Sequence, residues 1–218
     1  QESRGLGDVY KRQHWLRPIE KWMYKQYNSI ICISDKAKEN LQGYIGSNYP
    51  IKTIYNGIDI QKYIHAISLN REALGLKDNF IICMVAGFRL QKDQDTLIRA
   101  MKRLPNNFYL WLIGDGERRK ELELLTQKEK LTNRVKFWGI RSDIPQLLKT
   151  ADIIVMSSHW EGLSLSSLEG MSSGKPFIAS DVDGLHEIAN GYGMLFPEGN
   201  DKVLSEMILQ LIQDKSLY

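Results

Sequence analysis

Cysteine is scarce in this chain, with two residues in 218, Cys32 and Cys83. Each lies inside an apolar run, Ile30-Ile31-Cys32-Ile33 and Ile81-Ile82-Cys83-Met84. They read as buried thiols on strands, not as a disulfide or a metal pair, which suits a reducing compartment. Histidine is also sparse, at four residues. That supply is too thin for a structural zinc site, and no metal site is expected. No apolar run approaches the ~18 residues of a membrane span, and no secretory leader is visible. The Gly-x-x-x-x-Gly-Lys-Ser/Thr loop of phosphate-binding ATPases is missing. Excess charge of one sign is missing too. With 29 basic and 26 acidic residues, a net charge of +3 does not call for nucleic acid.

What is present is ordinary globular material. At 43% hydrophobic and 25% charged, the chain can build one full core and part of a second. Residues 1–13 show no amphipathic period and read as a non-native or disordered leader, left out of the fold argument. Apolar positions Trp15, Ile19, Trp22, Met23 and Tyr27 mark a helix over Trp15–Tyr27. A strand at Ser29–Ile33, a helix over Asp35–Tyr44 with Ser34 as its cap, and a strand at Ile51–Tyr55 follow. Asn56-Gly57-Ile58-Asp59 is a turn, and Tyr63–Leu76 is expected as a short helix.

From Phe80 the alternation is regular. Strands are expected at Phe80–Ala86, Phe108–Ile113, Val135–Trp138, Ile153–Ser157, Phe177–Ala179 and Met194–Phe196. Helices fall between and after them, at Asp95–Arg103, Glu117–Gln127, Ile144–Thr150, Leu165–Ser173, Leu185–Ala189 and Asp201–Ile212. Short continuous apolar strands alternating with helices predict an α/β domain with a doubly wound, Rossmann-like parallel sheet covered on both faces. Such sheets bind ligands beyond the carboxyl ends of their strands.

Those strand ends carry the chemistry. Glu161 and Glu169 stand eight residues apart, after the Ile153–Ser157 strand. Glu161 falls in the loop and Glu169 about one turn into the following helix. Carboxylates accept hydrogen bonds from sugar hydroxyls, and a helix N-terminus favours phosphate. Locally, Glu169 also fits a capping box with Ser166, and Glu161 fits a plain loop acid. Glycine marks three more strand ends, at Gly87, at Gly114-Asp115-Gly116 and at Gly139. Arg89 and Lys92 lie on the same rim; guanidinium and ammonium groups suit a diphosphate. His159 and Trp160 are candidate pocket walls, with a structural or exposed role as the alternative for His159, and His186, past Gly184, is a candidate to face the cleft.

Glu161-x7-Glu169, Gly114-Asp115-Gly116, the Ala86–Lys92 strand end with Asp93, Asn56-Gly57-Ile58-Asp59 and Ser180-Asp181-Val182-Asp183-Gly184 together resemble the retaining glycosyltransferases of group 1, also called family 4. The resemblance runs from about Trp15 to the C-terminus. It implies the C-terminal half of a GT-B fold plus a remnant of the N-terminal acceptor domain. The remnant and linker would be residues 14–75, and the donor-binding domain residues 76–218 with its last helix cut short. It implies a hexosyl transfer with retention, without a cofactor and without a required metal, from a UDP- or GDP-linked sugar to a glycan or lipid-linked acceptor. By resemblance, Glu161 bonds the donor sugar and Glu169 the ribose. Arg89 and Lys92 take the diphosphate, as do amides around Ser164, Leu165 and Ser166. Gly114, Gly116, Ile140 and Arg141 line the nucleotide side. The family often has its arginine where this chain has Gly87, so Arg89 would replace it, and Ser164 stands where glycine is common.

The resemblance further implies work in the cytoplasm, at the inner face of a membrane, in cell-surface polysaccharide assembly, with the fragment inactive alone. The basic and aromatic residues around Trp22 fit either interdomain packing or peripheral membrane contact. Rival readings are a nucleotide-sugar epimerase or phosphorylase on the same fold, or a non-enzymatic nucleotide-binding module.

Overall fold

A computed structural model describes residues 17–214. The expected leader over 1–13 therefore lies outside the described residues, as does Trp15. The chain opens with helix α1 (Arg17–Tyr24), strand β1 (Ile30–Cys32), helix α2 (Asp35–Ile45) and strand β2 (Ile51–Thr53). β1 and β2 pair in parallel, Ile30 opposite Ile51, and form a small sheet of their own. α2 starts where expected because the Ser34 hydroxyl accepts the Ala37 amide at 3.1 Å. It stops at Gly46, whose φ of 101° glycine adopts readily. α1 packs lightly on α2. The Tyr44 hydroxyl donates to Glu20 at 2.8 Å, but no residue of α1 is buried and Trp22 is 61% exposed.

The expected helix over Tyr63–Leu76 is not there. A five-residue helix α3 (Ile60–Ile64) takes its place, and the chain from 65 to 76 runs irregularly. Tertiary bonds outweigh helix propensity in this stretch. The Leu69 amide donates to Thr150 Oγ1 at 2.7 Å. The Arg71 guanidinium bonds the Thr150 carbonyl at 2.8 Å and the Asp152 carboxylate at 2.5 Å. A helix would carry these groups away from their partners. β2 likewise ends at Thr53, short of the expected Tyr55, whose side chain is taken up elsewhere.

The large domain alternates strand and helix: β3 (Phe80–Val85), α4 (Gln94–Met101), β4 (Phe108–Ile113), α5 (Arg119–Lys128), β5 (Val135–Gly139), α6 (Ile144–Thr150), β6 (Ile153–Met156), α7 (Leu165–Ser172), β7 (Phe177–Ser180), α8 (Asp183–Ala189), β8 (Met194–Phe196) and α9 (Asp201–Gln213). All six strands are parallel, in the order β5-β4-β3-β6-β7-β8. Counted along the chain this is third-second-first-fourth-fifth-sixth, the doubly wound order. The central strands are covered on both faces, and Ile81, Ile82, Leu110, Leu112, Ile153 and Val155 have no exposed surface. Each such side chain contributes roughly 1.5–3 kcal/mol when removed from water. Both cysteines are buried and free, as expected. Among the described residues, no helix is long and apolar enough to cross a membrane.

Candidate active site

The strand order reverses between β3 and β6, and a crevice opens there at the carboxyl ends of both strands. Two segments line it. Residues 86–93 leave β3, and residues 157–163 leave β6. They are stitched together. The Ser157 hydroxyl donates to the Asp93 carbonyl at 2.8 Å, and the His159 amide donates to the Gln91 carbonyl at 2.8 Å. The Gln91 amide donates to the Trp160 carbonyl at 2.7 Å. Phe88, 1% exposed, anchors the first segment edge-on against Phe137, with ring centroids 5.9 Å apart. Asp93 adopts a left-handed φ of 45° and caps α4, accepting from the Thr96 amide at 3.2 Å. Burial pushes its carboxyl above the usual range, against the opposing pull of the Thr96 bonds.

The two segments meet in an ion pair. Lys92 Nζ is bonded to the Glu161 carboxylate, which also accepts the Ser158 hydroxyl at 2.7 Å. The Glu161 side chain is 6% exposed and that of Lys92 17%. Arg89 sits nearby on the surface, and its guanidinium has no partner among the described residues. A side chain at Gly87 would start 3.9 Å from Arg89 Nε and meet nothing closer than 3.8 Å. Arg89 therefore reaches the space beside position 87, where the family resemblance expected an arginine. Ser164, the other departure, has φ −81° and needs no glycine.

A cleft of about 990 Å³ runs past this pair. Of the residues expected from sequence, Arg89, Lys92, Gly116 and Glu161 line it. His159 and Trp160 form a wall, stacked at 6.1 Å. The facing side comes from the small domain, with Ile33, Lys36 and Asn40.

The remaining expected residues do not line that cleft. Gly114 ends β4: a side chain there would fall 2.1 Å from the Ala86 carbonyl, so only glycine lets β4 end against β3. Ser164, Leu165 and Ser166 form the start of α7, whose amide ends favour an anion. Ile140 is 84% exposed beyond β5. Arg141 grips Asp143 at 2.8 and 2.7 Å, which holds the Asp143 carboxyl below its usual range. Glu169 forms no capping box, because Ser164 caps α7 without a side-chain bond and the Glu169 carboxylate lies instead near the Tyr63 phenol. Burial, and then the nearby Glu169 carboxylate, raise the Tyr63 phenol well above its ordinary value. His186 bonds Asp181 at 2.6 Å and does not line the main cleft.

Ser158, Gln91, Tyr63 and Gly184 were not anticipated as site residues. Ser158 and Gln91 flank residues that were, but nothing in their spacing marks them. The string Gly170-Met171-Ser172-Ser173-Gly174 has the spelling of a nucleophile elbow, but it closes helix α7 and does not join a strand to a helix. Among the described residues, no group of three acidic, histidine or cysteine side chains is placed to hold a metal ion.

The family model described as "Glycosyl transferases group 1" matches residues 67–218. The chain belongs to the group 1 glycosyltransferases. A second model, "Glycosyltransferase Family 4", matches residues 4–62. The Escherichia coli UDP-Gal:alpha-D-GlcNAc-diphosphoundecaprenol alpha-1,3-galactosyltransferase is 34% identical over 188 residues, 81% of this chain and 47% of that protein. The lipopolysaccharide core biosynthesis glycosyltransferase LpsE of Rhizobium meliloti is 29% identical over 205 residues, 92% of this chain and 58% of that protein. This glycosyltransferase chain thus spans about half the length of these curated relatives. Among solved structures, Anabaena HepE in complex with UDP and glucose superposes with a TM-score of 0.86 at 28% identity, covering 96% of this chain and 60% of that one. The architecture, a six-stranded parallel α/β domain beside a small two-stranded one, is that of GT-B glycosyltransferases.

Proposed function

We propose that this chain binds a nucleotide-diphosphate-sugar and serves as the donor half of an enzyme that passes the sugar to a glycan or lipid-linked acceptor, as in cell-surface polysaccharide assembly. The observation that carries this reading is the Lys92–Glu161 pair at the switch point, beside the unpartnered Arg89. Lys92 and Arg89 supply fixed positive charge for a departing diphosphate, and Glu161 supplies an acceptor for sugar hydroxyls. Strands lie about 4.8 Å apart, so the rim from β6 to β5 spans roughly 15 Å, the length of an extended nucleotide-sugar. The base lies toward Ile140 and Arg141, the diphosphate at Arg89, Lys92 and the start of α7, and the sugar at Glu161. Glu169 takes the ribose. Residues 14–75 belong to the acceptor domain and its linker, and residues 76–218 to the donor domain.

HepE is described with UDP and glucose, and the Escherichia coli relative by a UDP-galactose donor and a diphosphoundecaprenol-linked acceptor. Both support a UDP-sugar here, and the second supports work at the inner face of a membrane. Transfer proceeds with retention and without a metal, since cationic side chains and helix amides neutralise the leaving group. Both relatives reported above are transferases, so the epimerase, phosphorylase and non-enzymatic readings gain no support from them. Titration calorimetry with UDP and with GDP, in metal-free buffer, tests the donor site. Saturable binding of one nucleotide, weakened about tenfold or more by Glu169→Ala, is expected. A folded chain that binds neither nucleotide would overturn the reading.

A further inference from the structure

We infer that Glu187 is a positioning residue, linking the small domain to the loop that carries Glu161 through helix α8. Three observations join here. First, the Tyr55 hydroxyl stands 2.9 Å from Glu187 Oε1 and 2.8 Å from Asp35 Oδ2. Asp35 opens α2 in the small domain, and its amide also donates to Glu187 at 3.3 Å. Second, Gly184 lies three residues before Glu187, on the same side of α8. Third, its backbone rests directly on the Glu161 loop: a side chain there would fall 1.7 Å from the Gly162 carbonyl and 2.6 Å from the Glu161 carbonyl. The seven-residue α8 is thus gripped by the small domain at one point and presses on the Glu161 loop a turn earlier.

The contact is built to open. A tyrosine hydroxyl has one hydrogen and serves one carboxylate at a time. Asp35 has a second donor, the Thr53 hydroxyl at 2.6 Å, whereas Glu187 otherwise has only the Asp35 amide among the described residues. When Tyr55 donates to Glu187, the two domains are latched. When it turns to Asp35, Glu187 keeps the longer bond from the Asp35 amide at 3.3 Å, and the hold on α8 loosens. Ile33 of the small domain lies on the other side of the same loop, with Cδ1 3.5 Å from where a Gly162 side chain would begin. Movement between the domains therefore reaches the Glu161 loop from both sides. Its consequence for donor binding rests on the function proposed above, but the linkage itself does not.

The test uses the whole chain labelled with 5-fluorotryptophan and no ligand. The protein has five tryptophans, and Trp160 adjoins Glu161. Its fluorine resonance, assigned by Trp160→Phe, reports on the loop. Tyr55→Phe and Glu187→Ala are expected to shift or split that resonance. Glu187→Gln, which keeps an acceptor oxygen for Tyr55, is expected to return it to the wild-type position. Tyr55→Phe removes one surface oxygen and carries the test if Glu187→Ala does not fold. An unmoved Trp160 resonance in folded Tyr55→Phe, or a Glu187→Gln resonance that matches Glu187→Ala, would overturn the inference. Failure to bind UDP or GDP would instead defeat the donor reading and leave this result untouched.

Discussion

The two halves of the chain are built from similar parts to different depths. The small domain has a two-stranded sheet and a core of four buried residues, Cys32, Leu41, Ile45 and Ile51. It leaves Ile19, Trp22, Met23, Ile31 and Tyr27 about half exposed or more. The large domain seals six strands between helices, with Trp111, Phe88 and Phe196 wholly inside. A two-stranded sheet is marginal alone, whereas a covered parallel sheet stands on its own core. The site follows this division. The large domain supplies and buries Lys92 and Glu161, while the small domain contributes a facing wall held by hydrogen bonds at the surface.

The sharpest test of this contrast compares cavities. Leu112→Ala, at the centre of the large sheet, is expected to cost about 2–5 kcal/mol. Urea unfolding followed by the fluorescence of Trp111 and Trp138 reads it. Ile51→Ala in the small core is expected to leave that transition in place, and a common shift for both variants would mean one cooperative unit.

Next in size is the buried ion pair. Lys92→Met leaves Glu161 charged and unpaired at 6% exposure, and should cost about 3 kcal/mol in denaturant unfolding at pH 7. Adding Glu161→Gln to that variant should restore most of the loss; a purely additive double variant would argue against the coupling.

Gly184→Ala comes third. The added methyl must displace the Gly162 carbonyl, an overpacking expected to cost about 1–3 kcal/mol in the thermal transition. An unchanged transition would deny the close approach of α8.

The smallest effect belongs to a half-buried pair outside the cleft lining. Arg118 bonds both oxygens of Asp95, at 2.6 and 3.1 Å. Burial pushes the Asp95 carboxyl up, but the Arg118 bonds and charge outweigh it, and the net shift is downward. A depressed folded value stabilises the protein above the ordinary carboxylate range, near pH 4, and that stability is lost as pH falls below it. Asp95→Asn should therefore cost about 1–2 kcal/mol at pH 7 and flatten the acid limb of the stability profile. An acid limb identical to wild type would place the titration elsewhere.

The sequence made the large domain easy to read, because continuous apolar runs such as Phe80–Val85 and Phe108–Ile113 admit little besides buried parallel strands. Lys92, Arg89 and Glu161 were legible for the same reason, since each follows directly from a strand end. The stretch after Ile60 was not. Its apolar spacing suits a helix, and only distant partners, Thr150 and Asp152, hold it otherwise. Tyr63 and Tyr55 escaped notice likewise: each acts on a carboxylate far along the chain, Glu169 and Glu187, and no local spacing records that. Gly184 was visible as a turn residue, but its closeness to the Gly162 carbonyl exists only once β6 and β7 are neighbours.

The central claim is that Glu161 and Lys92 hold neighbouring parts of one donor, its sugar and its diphosphate. A crystal structure of this chain grown with UDP-glucose tests it most directly. The account predicts the diphosphate against Lys92, Arg89 and the start of α7, with the sugar hydroxyls on Glu161 and the Lys92–Glu161 bond exchanged for bonds to the donor. A nucleotide seated elsewhere, with Lys92 still bonded to Glu161, would contradict it.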